Sequence, residues 1–331
     1  MPIPQVTLAG KEVGHIGLGL MQLTWTPTPP PEEQSFAAIK AAVDAGATAV
    51  SSATFYGPQE DQMANVAMLG RFFAKYPEYR SKIVLVLKGG VGAALKPDPS
   101  KDFNRECLRK AKELLGDYEI DVYLPARLLP GQDPIEYFRA FDELRQEGWF
   151  RQLGASEVSA PTLRKLSTAY DIAIAEIEVS LWSWEQDIQD VIAWSTETGK
   201  PVFAYSPLGR GFITRTWKTP EDVPEGSFQK LSPRFQGENF YHNLKLVDVL
   251  DELAAKKGIT TAQLAIAWVA SRGPNVIPIP GSSNVDRARA NTESGNIKLT
   301  AEDEKEINDI LAKFETKGGR YPDHGSSHLM L

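Results

Sequence analysis

Short apolar runs alternate with amphipathic runs along almost the whole chain. The apolar runs include TAVSSA, KIVLVLKGG, IAIAEIEVS and PVFAYSPL, and segments such as EEQSFAAIKAAVDAG between them carry apolar residues at helical spacing. Eight strand–helix units can be counted in this alternation. Strands that alternate with helices predict a parallel sheet, and eight such units predict an α/β fold closed into a (β/α)8 TIM barrel.

The alternative architecture is a doubly wound open sheet, which usually carries G-x-G-x-x-G after its first strand. The first strand is predicted in HIGLGLM (15–21), and the glycines there do not have that spacing. TLAGKEV (7–13) predicts an N-terminal β-hairpin at the barrel bottom. LTAEDEKEINDILAKF (299–314) predicts an extra C-terminal helix with Asp303 at the capping-box position.

The length of 331 residues suits a single barrel domain over 1–331, and we expect a loosely ordered tail over about 315–331. EDQMANVAMLGRFFAKY (60–76) is predicted as the helix after the second strand. A long irregular segment is expected at about 209–238, after the seventh strand.

Composition argues against several classes of protein. The net charge of −7 disfavours a broad basic surface for nucleic acid, although a local basic patch for a phosphate remains compatible with it. One cysteine, Cys107, cannot form an internal disulfide, so we expect a reducing, cytoplasmic compartment. We find no signal-peptide pattern and no apolar run long enough to span a membrane. The four histidines are scattered, which disfavours a metal site.

The active site of such a barrel lies at the carboxyl ends of its strands. Tyr56 follows the strand AVSSA there, and Lys88 ends the apolar run IVLVLK. A cation beside a tyrosine lowers the pKa of its hydroxyl, so the two residues form a candidate catalytic pair. The plainer alternative is a lysine whose stem is buried and whose ammonium reaches the rim.

Five sequence blocks together carry a resemblance to a known family: FYG, VLKGG, RQLGASE, FAYSPLGRGFITR and VIPIPGSSNVDRARAN. They occur in family order across nearly the whole chain, which resembles the aldo-keto reductases. GLGLMQLTW and the SE pair at 156–157 look most like the fungal pyridoxal reductase branch. The resemblance implies a carbonyl reductase that uses NADPH/NADP+ and acts on a small-molecule carbonyl substrate.

The resemblance also implies roles for individual residues. Tyr56 is the expected proton donor and Lys88 its cationic neighbour. The substrate pocket is expected at Trp25, Phe55, Ala126 and Arg127, although a tryptophan at a strand end is also an ordinary packing residue. The cofactor-binding positions, from the nicotinamide through the pyrophosphate to the adenosine end, are Ser156, Glu157, Glu176, Tyr205, Ser206, Leu208, Gly209, Arg210, Gly281, Ser282, Ser283, Arg287 and Asn291.

The last block also fits a phosphate on physical grounds. Ser282, Ser283 and Arg287 lie at the predicted start of a helix, where free N–H groups and the helix dipole favour an anion. We therefore expect the 2′-phosphate of NADPH there. The alternative is that Arg287 and Arg289 form only a solvated helix face.

The chain departs from the family pattern at several site positions. Ser51 stands where an aspartate usually pairs with the lysine, and Ala126 stands where a histidine usually faces the substrate, although the pyridoxal reductase branch lacks that histidine too. Glu157 and Glu176 stand where the family usually has Asn and Gln. An unpaired Lys88 could act more strongly on Tyr56 or lose its charge to burial, and the sequence leaves both open. Glu176 or Glu178 could supply the missing charge from across the mouth.

The leading functional hypothesis is NADPH-dependent reduction of an aldehyde, pyridoxal or a similar polar aromatic one. An enzyme of fungal specialised metabolism that binds NADPH and catalyses an altered or redox-neutral reaction, such as isomerisation or dehydration, is the alternative. A non-catalytic NADPH-binding subunit is a third hypothesis, against which the intact Tyr56 and Lys88 count. The oligomeric state stays open.

Overall fold

The computed structural model describes residues 2–92, 95–116, 118–322 and 328–331. Within these residues, eight parallel strands form one sheet in chain order from β3 to β10, beside an antiparallel hairpin of β1 and β2. The strands are β1 Gln5–Leu8, β2 Lys11–Gly14, β3 Leu18–Gly19, β4 Ala49–Ala53, β5 Val84–Gly89, β6 Val122–Pro125, β7 Gln152–Ser156, β8 Ile172–Glu178, β9 Val202–Tyr205 and β10 Val276–Pro278.

Two backbone hydrogen bonds join the first and last strands of the sheet. The N–H of Gly17 donates to the carbonyl oxygen of Pro278 at 2.9 Å, and the N–H of Gly19 donates to that of Pro280 at 3.4 Å. The sheet therefore closes on itself, which confirms the predicted (β/α)8 barrel. β3 is shorter than the strand predicted over 15–21, because it pairs regularly with β4 only at Leu18 and Gly19.

The helices lie between and after the strands, and the predicted C-terminal helix is confirmed as α11. Its N-terminus has the predicted capping box, in which Thr300 Oγ1 accepts from the N–H of Asp303 (3.2 Å) and the Asp303 carboxylate accepts from the N–H of Thr300 (2.9 Å). The helices are α1 Glu32–Asp44, α2 Ala64–Lys75, α3 Lys101–Leu115, α4 Pro134–Gln146, α5 Ala160–Leu166, α6 Gln186–Thr198, α7 Phe228–Leu231, α8 Gly237–Lys256, α9 Thr261–Ala270, α10 Val285–Glu293 and α11 Ala301–Lys313.

Side chains of strand β5 alternate between two apolar cores. In β5, Val84 and Val86 belong to the inner cluster of the barrel, whereas Leu85 and Leu87 pack outward against the helices. Because successive side chains of a strand point to opposite faces, Lys88 continues the inward set at the carboxyl end. The hydrophobic pattern of this strand therefore directs a charged group into the barrel.

The same periodicity directs three other polar side chains into the barrel mouth. Ser51 follows Ala49 by two residues, Glu176 follows Ile174 and Tyr205 follows Phe203, and each of those earlier residues belongs to the inner cluster. Polar side chains from β4, β5, β8 and β9 are thus collected at one end of the barrel.

The hairpin closes the opposite end of the barrel, as its sequence position predicted. Val6, Leu8 and Val13 of the hairpin complete the inner apolar cluster. Lys11 Nζ lies 2.7 Å from Asp121 Oδ1, and the other oxygen of Asp121 accepts from the N–H of Leu85 at 2.9 Å. No helix in the described part of the chain is long and apolar enough to cross a membrane.

Candidate active site

Lys88, Ser51 and Glu176 form a closed triangle of contacts inside the barrel mouth. Lys88 Nζ lies 2.7 Å from Glu176 Oε1 and donates to Ser51 Oγ at 2.6 Å, and the Ser51 hydroxyl donates to Glu176 Oε2 at 3.1 Å. Lys88 is 4% exposed and Glu176 is 2% exposed, so water contributes little to their solvation. The negative charge that Ser51 lacks on β4 is therefore supplied by Glu176 on β8.

This pairing determines the charge state of Lys88. Burial opposes the charged ammonium, but the neighbouring Glu176 carboxylate and Tyr56 outweigh it, so the pKa of Lys88 is raised above its ordinary value. Lys88 is consequently protonated at neutral pH. Both outcomes that the sequence left open assumed an unpaired lysine, whereas Lys88 is paired with Glu176.

Tyr56 lies over this lysine in an aromatic setting. The Lys88 ammonium is 5.0 Å from the centroid of the Tyr56 ring, which packs against Trp25 and Phe55 with centroid separations of 5.7 and 5.3 Å. Burial raises the pKa of the Tyr56 hydroxyl, Lys88 lowers it, and Glu176 raises it, with a net increase over the ordinary value. Tyr56 therefore holds its proton at neutral pH, as a proton donor must.

An apolar wall borders the space beside Tyr56. Ala53, Phe55, Val91 and Ala126 are buried together there, and Trp25 and Tyr56 pack on them. Ala126 belongs to this wall, and its methyl side chain cannot form a hydrogen bond. The four residues that sequence analysis assigned to the substrate pocket, Trp25, Phe55, Ala126 and Arg127, thus lie close to the candidate proton donor.

A second charged cluster occupies the side of the mouth formed by β7, β8 and β9. Glu157 is fully buried, and its Oε1 accepts from the Tyr205 hydroxyl at 2.8 Å and from the N–H of Glu178 at 3.1 Å. Arg210 Nη2 lies 2.6 Å from Glu178 Oε2. Arg320 lies between the two carboxylates, at 3.6 Å from Glu157 and 3.8 Å from Glu178.

Arg320 and Tyr321 belong to the segment that we expected to be a loosely ordered tail. Tyr321 packs in the mouth, with its hydroxyl 2.9 Å from that of Tyr205 and 3.1 Å from Arg127 Nη2. The carbonyl oxygen of Arg320 accepts from Arg210 Nη1 at 2.7 Å. Residues 323–327 of the expected tail lie outside the described residues. Sequence analysis missed both side chains, because the polar, glycine-rich GGRYP has no periodicity that would indicate contact with the barrel.

Two buried oxygens at the carboxyl end of β7 have no hydrogen-bond partner among the described residues. They are Ser156 Oγ and Glu157 Oε2. Buried polar atoms are nearly always hydrogen-bonded in native proteins, so such a pair indicates a ligand position. A hydroxyl that can donate and accept and a carboxylate that accepts match a primary amide, which presents both an N–H donor and a carbonyl acceptor.

The loop after β9 has an unusual backbone. Ser206, Gly209 and Arg210 adopt positive φ values of 53°, 57° and 58°, which costs about 1–3 kcal/mol at each residue other than glycine. A Cβ on Gly209 would come within 2.9 Å of Trp182 Nε1, so only glycine fits there. Strained backbone of this kind is concentrated at ligand-binding loops, which supports the predicted role of Ser206, Leu208, Gly209 and Arg210.

The remaining predicted cofactor positions lie at the end of β10 and the start of α10. Gly281 approaches Gly19 so closely that a Cβ would lie 2.7 Å from the Gly19 carbonyl oxygen. Asn284 caps α10 by accepting from the N–H of Arg287 at 2.9 Å, and the Arg287 side chain is exposed on the first turn. Since β9 and β10 are adjacent, the loop after β9 and this helix start lie along one edge of the barrel. The residues here are Gly281, Ser282, Ser283, Arg287 and the buried Asn291.

Comparison with known proteins identifies a family and two similar proteins. Residues 15–312 match the model of the Aldo/keto reductase family. The chain is 33% identical to aldo-keto reductase yakc (NADP+) of Schizosaccharomyces pombe, over 100% of this chain and 98% of that protein. It is also 33% identical to the Saccharomyces cerevisiae protein named "Putative pyridoxal reductase", over 92% of this chain and 95% of that protein.

Solved structures share the fold at lower sequence identity. The glycerol dehydrogenase of Gluconobacter oxydans superposes with a TM-score of 0.81 at 23% identity, covering 95% of this chain and 96% of that one. An aldo/keto reductase from Klebsiella pneumoniae, solved with NADP and acetate, gives a TM-score of 0.68 at 21% identity over 96% of this chain and 98% of that one.

Proposed function

Because the chain belongs to the aldo/keto reductase family, we propose that it reduces an aldehyde to an alcohol with NADPH as the electron source. The observation that carries this proposal is the buried triangle of Lys88, Ser51 and Glu176 beneath Tyr56. The triangle holds a charged lysine beside Tyr56, whose burial keeps its hydroxyl protonated, although the usual aspartate and histidine positions hold Ser51 and Ala126.

The chain's own groups contribute the proton and the electrostatic stabilisation. When bound, NADPH supplies the hydride that the carbonyl carbon accepts. Tyr56 donates its hydroxyl proton to the carbonyl oxygen as negative charge develops there. The Lys88 ammonium stabilises the tyrosinate that remains, because an adjacent positive charge favours the ionised form of a phenol. Glu176 keeps Lys88 charged, and therefore acts through it.

We assign the cofactor to the edge of the barrel from β7 to α10. Ser156 and Glu157 would hold the nicotinamide carboxamide, since their two unsatisfied oxygens match an amide. Tyr205 would pack against the nicotinamide ring. The Glu176 carboxylate is already engaged by Lys88 and Ser51, so we assign it to the charge pair. The pyrophosphate would follow Ser206, Leu208, Gly209 and Arg210, and the adenosine end would lie at Gly281, Ser282, Ser283, Arg287 and Asn291. The S. pombe relative carries NADP+ in its name.

The substrate we favour is a polar aromatic aldehyde of the pyridoxal type. The rings of Trp25, Phe55 and Tyr56 border the pocket and can pack on a flat aromatic substrate. The name of the S. cerevisiae relative gives independent support to pyridoxal as one candidate.

The test follows NADPH absorbance in the presence of pyridoxal, benzaldehyde and pyridine-4-carboxaldehyde, with the product identified by mass spectrometry. We expect one alcohol formed for each NADPH oxidised. If NADPH binds, as judged by fluorescence quenching, but no aldehyde is reduced, the proposal is wrong. A transformed substrate with unchanged NADPH would instead support a redox-neutral reaction.

Replacing Arg287 with alanine should weaken NADPH binding by about 10- to 100-fold, because a hydrogen bond to a charged group contributes about 1.5–3 kcal/mol. NADH lacks the 2′-phosphate, so its affinity should change little. Fluorescence titration with both cofactors measures the difference. Arg289→Ala is the matched control, since Arg289 is also exposed but two residues further along α10 and thus on another face. If Arg287→Ala weakens the binding of NADPH and NADH equally, Arg287 does not bind the 2′-phosphate.

A further inference from the structure

Arg127 extends into the mouth from the residue after Ala126, just beyond the end of β6. Its Nη2 donates to the Tyr321 hydroxyl at 3.1 Å, and its Nη1 donates to the carbonyl oxygen of Ala126 at 2.6 Å. The guanidinium carbon lies 5.6 Å from the centroid of the Tyr321 ring. Arg127 is thereby held in one orientation by neutral groups of the protein.

The other cations of the mouth all have carboxylate partners. Lys88 pairs with Glu176 at 2.7 Å, and Arg210 pairs with Glu178 at 2.6 Å. Arg320 lies within 4 Å of both Glu157 and Glu178. Arg127 forms no ion pair with any carboxylate in the described ranges, and its two hydrogen bonds there go to neutral oxygens.

The charge balance of the mouth therefore leaves one positive charge without an ion-pair partner. Its ionisable pairs contain the cations Lys88, Arg210 and Arg320 and the carboxylates of Glu157, Glu176 and Glu178. Arg127 adds a further cation to this balanced set. A guanidinium stays ionised at every physiological pH, so Arg127 offers a permanent positive charge that no described carboxylate contacts directly.

Arg127 is also close to the residues that act in the proposed reaction. Burial opposes its charge, yet Tyr321, Tyr205, Glu157 and Tyr56 lie near enough to raise the pKa of Arg127 on balance. Ala126, the residue before Arg127, packs in the same cluster as Tyr56, so a substrate with its carbonyl oxygen at Tyr56 can direct its far end towards this guanidinium. A guanidinium has five N–H donors, so N–H groups remain for an oxyanion.

We propose that Arg127, oriented by the Tyr321 hydroxyl, binds an anionic group of the substrate, so that the preferred substrates are aldehydes that carry a carboxylate. Planar carboxylates match the fork of a guanidinium, which can donate two parallel hydrogen bonds to them. The inference rests on the proposed function, because it concerns the far end of the same aldehyde. It narrows the proposed substrates from aromatic aldehydes in general to those that carry a carboxylate.

The test compares 4-formylbenzoate and 3-formylbenzoate with their methyl esters, which keep the ring and the aldehyde but lack the charge. For wild-type protein we expect kcat/KM to favour at least one of the acids over its ester by about 10- to 100-fold. Arg127→Met should remove this preference by lowering the value for the acid to that for the ester. Arg127→Lys should keep part of it, because the charge remains but the bidentate geometry is lost.

Arg164→Met is the matched control, since Arg164 is an exposed arginine on α5 that pairs with Glu197 at 2.6 Å. It should leave both values unchanged. A wild-type protein that reduces each acid no faster than its ester would overturn the inference. So would an equal loss for acid and ester in Arg127→Met, because that result assigns Arg127 to the carbonyl group or to the fold.

A binding measurement distinguishes failure of the inference from failure of the proposed function. Calorimetric titration of the wild-type protein with benzoate and with methyl benzoate, in the presence of NADP+, requires no turnover. We expect benzoate to bind more tightly by a similar factor, and the difference to vanish in Arg127→Met. Equal binding of the two probes by wild-type protein would contradict the inference even if aldehydes are reduced, and selective benzoate binding would support it even if none is.

Discussion

Replacement of Tyr56 by phenylalanine lowers kcat for aldehyde reduction by about 100- to 10,000-fold, the usual contribution of a positioned general acid. The substitution removes only the hydroxyl, and the ring can keep its packing on Trp25 and Phe55. NADPH affinity and the thermal unfolding midpoint should therefore remain close to those of the wild type. Steady-state kinetics with the best aldehyde of the panel, together with fluorescence titration of NADPH, measures both effects.

The control for this substitution is Tyr241→Phe, since Tyr241 is 52% exposed on α8 and outside the mouth. It should leave kcat unchanged. The pKa of Tyr56 is raised above its ordinary value, so the proton donor stays protonated through the neutral range and kcat should fall only at alkaline pH. A Tyr56→Phe variant that retains more than about a tenth of the wild-type rate would assign the proton to another group, since general acid catalysis contributes far more than that.

Replacement of Glu176 by glutamine should lower the free energy of unfolding by about 3–5 kcal/mol, the range for removal of one member of a buried ion pair. The loss arises because the Lys88 charge then remains buried without a counter-ion, beside neutral acceptors such as the Ser51 hydroxyl and the glutamine amide oxygen. Urea denaturation at pH 7 measures the change. A partly neutral Lys88 would also stabilise the tyrosinate form of Tyr56 less, so kcat should fall as well.

The double variant Ser51→Asp/Glu176→Gln tests whether the stability lost in Glu176→Gln comes from the missing negative charge beside Lys88. It moves the carboxylate from β8 to β4, to a position whose present side chain lies 2.6 Å from Lys88 Nζ. We expect it to recover most of the lost stability. If the double variant is as unstable as Glu176→Gln alone, then the carboxylate on β8 stabilises the barrel by some means other than its charge on Lys88.

The free energy of unfolding should change with pH in opposite directions in the wild type and in Glu176→Gln. In the wild type, the pKa of Lys88 is raised above its value in the unfolded chain, so the stabilisation is present at neutral pH and is lost as the pH rises through that raised pKa. In Glu176→Gln the unpaired, buried lysine should have a lowered pKa. The unfolded state then binds more protons than the folded one, so the stability of this variant rises with pH above neutrality.

The sequence predicts the barrel well because apolar strand segments and amphipathic helical segments alternate along nearly the whole chain. The inward direction of Lys88 follows from Val84 and Val86 by simple alternation, and the missing charge was visible at Ser51. Helix α2 was expected from residue 60 but begins at Ala64, because the residues before it form turns. Such boundaries depend on local hydrogen bonds that the hydrophobic period does not specify.

The partner of Lys88 and the contacts of Arg320 could not be predicted in the same way. Glu176 and Glu178 both point inward from β8, and only the curvature of the closed barrel decides which of them reaches Lys88. Arg320 and Tyr321 come after the last helix, where neither helical nor strand periodicity constrains a side chain. These contacts depend on tertiary geometry, so the sequence could only offer Glu176 and Glu178 as alternatives.

The Lys88–Glu176 contact also bears on the order in which the barrel assembles. Ser51 and Lys88 come from β4 and β5, whereas Glu176 comes from β8, after two intervening strands. A folding intermediate with only the first half of the barrel would have to bury the ammonium without its counter-ion, which costs several kcal/mol. Burial of the ammonium therefore becomes favourable only when the second half of the barrel contributes Glu176. The charge to which we assign a catalytic role thus also joins one half of the barrel to the other.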